Sequence, residues 1–352
     1  MQATRIGANG PDREAVGERR AIRQALAHWR ALGRLGPAAV AAPWARTEPV
    51  AADWRRWLDT ALMALGTALL CAGVIVFFAF NWQDLHKFSK FGLLAAAITV
   101  LAAFAWLRPA ADAAGRAALG GAQVLSGVLL AVIGQTYQTG ADAWQLFALW
   151  ALLAVPWALA ARAAPHWWLV LVVGNVALLR YFSIRFGMEG LFALLFDSRY
   201  LRTATLALLG AVLLQLALWH LLAARASGLG FRGQTGSRLL AALACVQAGS
   251  LGLTSLFDSR FDAASFVVAL AVLAGLAWWY RQRAFDIVVL SLTCLTGIVL
   301  VVAGLGKLLF EGKGDFGAFL LLGLVTIGLA AGAAAWLMRA YRAQLRAQPE
   351  QA

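Results

Sequence analysis

Six neutral polar residues interrupt an otherwise apolar chain, and they are its best candidates for chemistry. Gln135, Tyr137 and Gln138 fall in Gln135-Thr136-Tyr137-Gln138-Thr139-Gly140-Ala141-Asp142, a short polar hinge between two long apolar runs. Asn175, Gln215 and Gln247 stand inside later runs. Amides and a phenol in such a setting do one of two things. They bond helix to helix, at about 0.6–2 kcal/mol each, or they line a polar cavity for a lipid headgroup or small solute. A second set is charged: Asp142, Asp197, Arg199, Asp258 and Arg260, all in or beside loops expected on one side. An Asp just before a helix can cap its first turn and meet the positive end of its dipole. Read as a rim, the same Asp and Arg residues would bind a polar ligand or partner.

Other chemistries find no support in the residue pattern. His28, His86, His166 and His220 are scattered, without metal-ligand spacing. Cys71, Cys245 and Cys294 lie inside apolar runs and read as small fillers rather than a disulfide framework. Gly304-Leu305-Gly306-Lys307 lacks the Ser or Thr and the spacing of a phosphate loop, so Lys307 reads as an interfacial anchor. The apolar runs carry no Asp, Glu, Lys or Arg near their middles. Ion-coupled carriers usually keep such a group there, which weighs against a proton-driven pump. Neither cofactor nor metal is expected.

The elements that must position these residues follow from composition. The 352 residues are 62% hydrophobic and 13% charged, with a mean hydropathy of +0.73. Soluble domains carry about 25% charged residues. Runs of roughly 20 apolar residues recur, each long enough to cross a ~30 Å hydrocarbon core as a helix. Helices satisfy their own backbone groups there, which predicts an all-α polytopic bundle. Ten spans are expected, at 57–80, 88–107, 118–137, 143–161, 166–182, 203–224, 239–257, 263–280, 287–306 and 316–338. Ala64, Ala68 and Ala72 lie one turn apart, and Gly328 and Gly332 form a GxxxG pair, so both spans allow close approach. Pro156 should bend its span. Residues 187–196 are too few to cross and carry Glu189, which suggests an interfacial or re-entrant piece.

Residues 1–56 read as a basic cytoplasmic arm rather than a secretory signal. Its 12–32 stretch suits a basic amphipathic helix, lying on an anionic membrane surface or on its own bundle. Pro37, Pro43 and Pro49 then mark a linker that should not be helical throughout. The membrane domain is expected at 57–338 and a cytoplasmic tail at 339–352. The net charge of +13 invites a nucleic-acid reading, but the cations sit in loops and in the arm, as membrane topology requires. Lys and Arg count 21 on the N-terminal side and 9 on the other, which places both termini in the cytoplasm. The hinge then faces outward, in the outer loop that holds no Lys or Arg. Arg180, Arg185, Arg199 and Arg202 form one discordant outer loop.

Leu195-Phe196-Asp197-Ser198-Arg199 returns as Leu256-Phe257-Asp258-Ser259-Arg260, an echo that suggests a parallel repeat of helical hairpins in the second half. A family resemblance comes from elsewhere. The stretch 66–87, GTALLCAGVIVFFAFNWQDLHK, with Asn81 and Trp82 at its end, resembles the opening of the bacterial domain-of-unknown-function 2157 membrane proteins. Gln135, Tyr137 and Gln138, followed by Trp150 and Pro156, resemble that family's second block. The resemblance covers roughly 21–165 and implies a polytopic protein of the bacterial inner membrane with no assigned reaction. The expected function is non-enzymatic binding or scaffolding in the cell envelope. Membrane lipids, and an envelope protein, are the expected partners, nucleic acid is not, and the oligomeric state stays open. The alternative is a transporter or lipid-handling protein with a neutral polar path through the spans.

Overall fold

The computed structural model describes residues 22–23, 25–26, 29–30, 34–47, 51–80, 86–109, 112–137, 140, 142–182, 198–258, 261–310 and 316–347. Eleven α-helices account for most of these, and no strand occurs among them. They are α1 (Pro37–Arg46), α2 (Ala51–Phe80), α3 (Lys87–Trp106), α4 (Ala113–Tyr137), α5 (Ala143–Ala161) and α6 (Ala164–Tyr181). After residues 183–197, α7 (Ser198–Arg225), α8 (Thr235–Phe257), α9 (Ala263–Gln282), α10 (Ile287–Phe310) and α11 (Phe316–Ala347) follow. The amphipathic stretch 12–32 lies mostly outside the described residues, and the 187–196 piece wholly so.

Every expected span is a helix, but the count changes. Nine helices among the described residues are long and apolar enough to cross a bilayer. The helix left out is α6, 18 residues that include Pro165, His166, Asn175 and Arg180. Those polar groups dilute its apolar run. The arm changes too, because the stretch read as a linker contains α1, with Pro37 in its first turn and Pro43 inside. A proline costs nothing in a first turn, where the N–H has no helical partner. Pro43 leaves the Ala39 carbonyl without its helical donor, and Ala39 is exposed, so water can replace it. Arg23 donates to Thr47 Oγ1 at 2.9 Å and lies over the Trp44 ring, folding the arm back on α1.

Two helices act as hubs. α4 packs against α2, α3 and α5, and α8 packs against α7, α9 and α10. Both are rich in Gly and Ala, which lets neighbouring backbones approach closely. Each hub also offers a glycine to a tryptophan. The Trp150 indole lies on Gly127, where a Cβ would sit 2.2 Å from it. The Trp219 indole lies on Gly236, where a Cβ would come within 2.1 Å.

Around α8 the core is continuous. Leu240, Leu251, Leu290 and Leu300 are fully buried, and Tyr280 closes the core at one end. The Tyr280 hydroxyl bonds His220 Nε2 at 3.0 Å. Beside it, Arg238 pairs at 2.7 Å with buried Asp286, whose other oxygen accepts the Val288 N–H at the start of α10. Lys307 donates to the Leu256 carbonyl at 2.6 Å, so the residue read as an interfacial anchor ties α10 to the end of α8.

The two halves meet along α6. Trp167, Trp168 and Leu171 pack on the second-half core, and Trp167 Nε1 donates to the Leu229 carbonyl at 2.8 Å. Gly230, at φ +102, passes so close to the α5–α6 turn that a Cβ would lie 2.6 Å from the Ala163 nitrogen. A side chain there would face both a left-handed backbone and a clash.

Candidate functional site

The hinge begins inside α4, whose apolar run stops at Ile133 and whose last described turn holds Gln135, Thr136 and Tyr137. Gly140 turns the chain with φ +64, a left-handed conformation that glycine adopts without strain. Asp142 occupies the N-cap position of α5, yet its carboxylate makes no capping hydrogen bond. The cap expected at this aspartate is therefore positional, and the residue is exposed. Tyr137 stacks on Phe91 of α3 at 5.8 Å, which fixes its ring while leaving it 54% exposed. Across the hinge, Trp144 meets Tyr181 edge-on at 5.2 Å.

Between α4 and α5 these turns leave a groove of about 660 Å³. Its walls are Leu130, Ala131, Ile133, Leu146 and Leu149, and its polar members are the exposed amides of Gln135 and Gln145. Two further grooves lie in the same half. One, of about 420 Å³, is floored by Gly120, Gln123 and Val124 and walled by the small-residue stripe of α2 together with His166 and Leu169. The other, of about 550 Å³, lies between α2, α3 and α4 and is almost entirely apolar.

Below the hinge, one buried amide joins three helices. Gln123, 1% exposed, donates to the Ala154 carbonyl of α5 at 3.0 Å and to the His166 carbonyl of α6 at 3.1 Å. Its own carbonyl accepts Trp150 Nε1 at 3.0 Å. His166 Nε2 lies 3.1 Å from the Arg116 carbonyl, an acceptor, so this nitrogen carries the proton and Nδ1 faces no partner. The arrangement is a set of helix-to-helix bonds.

The six candidate polar residues do not form one cavity. Asn175 and Gln215 bond each other across α6 and α7, at 2.7 and 3.3 Å, and Asn175 also donates to the Leu171 carbonyl. Gln247 is buried on α8. Gln135 lines the hinge groove and Tyr137, at the end of α4, stacks on Phe91 of α3, while Gln138 lies outside the described residues. Of the family-like positions, Trp150 locks α5 onto α4, and Asn81 and Trp82 lie outside the described residues.

The charged rim takes a different form from the expected one. Asp197 and Arg260 lie outside the described residues, and Arg199 falls in the first turn of α7. The described partner of Asp258 is Arg202, which also reaches Asp262 at 2.9 Å. One arginine thus clasps both ends of the α8–α9 turn. That bond gives the discordant loop at least one structural cation. The Ser265 hydroxyl first, against some desolvation, then the Ser265 backbone N–H and the Arg202 charge hold the Asp262 carboxyl below the usual carboxylate range.

Sequence reasoning missed Gln123 and Arg202 and set His166 aside. The signal for Gln123 was available, as a lone amide within a Gly- and Ala-rich run. Arg202 had no such mark, because its partners lie more than fifty residues away.

Fold and grooves together define a multi-pass helical membrane protein with laterally open apolar clefts. Residues 27–167 match the model of the family described as predicted membrane protein (DUF2157), so the resemblance read from the first spans and the hinge is shown over that stretch. No curated protein matches the chain, and no solved structure does. The matched stretch contains the hinge, Gln123, Trp150 and all of α5.

Proposed function

We propose that the protein is a non-enzymatic component of the bacterial inner membrane, with α6 as a tenth crossing beside the nine more apolar helices and both termini therefore cytoplasmic, that binds lipid in the hinge groove. The observation that carries this reading is the lining of that groove: apolar walls along α4 and α5, with Gln135 and Gln145 as its hydrogen-bonding members. A lipid tail is the occupant that apolar walls favour in a bilayer, and neutral amides suit the ester and hydroxyl groups at its head. The bonding of interior polar groups supports binding over transport. Asn175 with Gln215, and Gln123 with backbone carbonyls, spend their donors on neighbouring helices rather than on a continuous polar path. The second half, with its continuous core, serves as the scaffold against which α6 holds the binding half.

Native mass spectrometry of the full-length protein tests this. The protein should retain co-purified lipid, and Ala131→Trp, which fills the groove from one wall, should remove about one bound lipid without loss of secondary structure. Equal lipid retention in both proteins would overturn the reading.

A further inference from the structure

The groove between α2, α3 and α4 has a feature that the hinge groove lacks, a cation at its mouth. Thr67 apart, its lining is apolar, with Leu70, Val74, Leu101 and Leu125 among the walls and Phe104 and Ala114 towards one end. At that end Arg108 carries its guanidinium 4.8 Å over the Phe104 ring. At its root α4 comes close, because a Cβ on Gly115 would lie 3.2 Å from the Arg108 Cβ. The guanidinium is therefore positioned, yet its side chain remains 48% exposed.

Depth supports the same reading. Trp106 and Leu107, just before Arg108, are 89% and 81% exposed at the end of α3. An exposed tryptophan at a span end marks the headgroup region, where its indole N–H meets water and its ring meets lipid. Arg108 thus stands at phosphate level, above an apolar cleft of about 550 Å³. The nearby carboxylate does not cancel it. Asp112 lies 3.6 Å away, and the same Asp112 oxygen also faces the Gly115 N–H at the start of α4. A guanidinium has five N–H donors, so most remain available for a phosphate.

We infer that this groove is a binding site for an anionic phospholipid, its acyl chain along α2, α3 and α4 and its phosphate on Arg108. The inference extends the lipid-binding reading to a second place in the same half and to one class of lipid. It also gives the two grooves different specificities. The hinge groove presents amides and the exposed Asp142 close by, whereas this one presents a fixed cation.

The test uses the full-length protein in nanodiscs or mixed micelles containing equal phosphatidylglycerol and phosphatidylethanolamine, with bound lipids identified by native mass spectrometry. The wild type should retain phosphatidylglycerol in about fivefold preference, the worth of one surface cation facing an anionic headgroup. Arg108→Gln should abolish the preference, Arg108→Lys should keep part of it, and Ala117→Phe should displace the lipid whatever its head. Thermal melting of each variant separates loss of binding from loss of fold. No headgroup preference in the wild type would overturn the inference, as would an unchanged preference in Arg108→Gln. If Ala131→Trp removes lipid while Arg108→Gln changes nothing, the second site fails and the hinge reading stands. If neither variant changes lipid retention, both fail.

Discussion

The two hub helices do the same architectural job with different density. In α8, 61% of the membrane-spanning stretch is buried, against 39% in α4. Both use glycine to admit a tryptophan and small residues to draw neighbours close. Around α8 the large aliphatic side chains complete a continuous core, so its charged contacts lie at the ends, as Arg238–Asp286 and Lys307–Leu256 do, and Gln247 is the buried amide between them. Around α4 the buried cluster shrinks to Leu94, Leu125 and Val132, and a buried amide holds the helices together in place of packed apolar volume. Three grooves border that helix. A hub held by a few directional bonds leaves open surface beside it. A hub held by interdigitated side chains fills that surface.

Four measurements press on this difference. The largest effect is expected from removing the two tryptophans. Trp219→Ala, in the dense half, should cost about 3–5 kcal/mol and lower the thermal midpoint clearly, as large core truncations do. Trp150→Ala, beside open grooves, should cost distinctly less in the same detergent. A larger loss for Trp150 would reverse the comparison. Next, Gln123→Leu should destabilise the first half by about 1–2 kcal/mol, because it removes the donors that join α4 to α5 and α6. Proteolysis should then begin within 113–181, and cuts starting in α8–α10 would contradict the assignment.

A smaller effect belongs to the contact between halves. A double-mutant cycle of Asn175→Leu and Gln215→Leu should give a coupling of about 0.6–1.7 kcal/mol, the range of hydrogen bonds within membrane proteins. Independent effects would mean that the pair does not join the halves. The smallest concerns the Arg202 clasp. The Asp262 carboxyl is held below its ordinary value, so its contribution is full above the unfolded carboxylate range and is lost as pH falls through the lower folded value. For a pair near water this amounts to less than about 1 kcal/mol. Arg202→Ala should weaken the acid-side loss of stability, seen in melts at decreasing pH, and an identical acid profile would count against the clasp.

Much of the fold was legible because the membrane makes composition decisive. The span expected at 143–161 is reproduced residue for residue by α5, and the expected third span and α4 share their last residue, Tyr137, three residues into the polar hinge. What escaped were features set by geometry across helices. Gln123 bonds backbone carbonyls, which every residue has, so its partners leave no trace in residue types. The pairing of Trp150 with Gly127 requires knowing which faces of α4 and α5 meet. The polar residues gathered by type were read as one set. The structure instead separates a bonded pair, a buried glutamine on α8 and a groove-lining hinge. The prolines of the arm allow more helix than their number suggests, since Pro37 opens α1 and Pro43 sits inside it beside exposed Ala39, while the helix ends at Arg46.

The central claim is that lipid occupies the first half while the second half stands as its scaffold. Hydrogen exchange of the full-length protein, compared in lipid nanodiscs and after delipidation in detergent, tests it most directly. Delipidation should raise exchange in the stretch around the hinge, 130–149, and leave 240–256 at the centre of α8 unchanged. Equal change in both segments, or change confined to α8, would contradict the account.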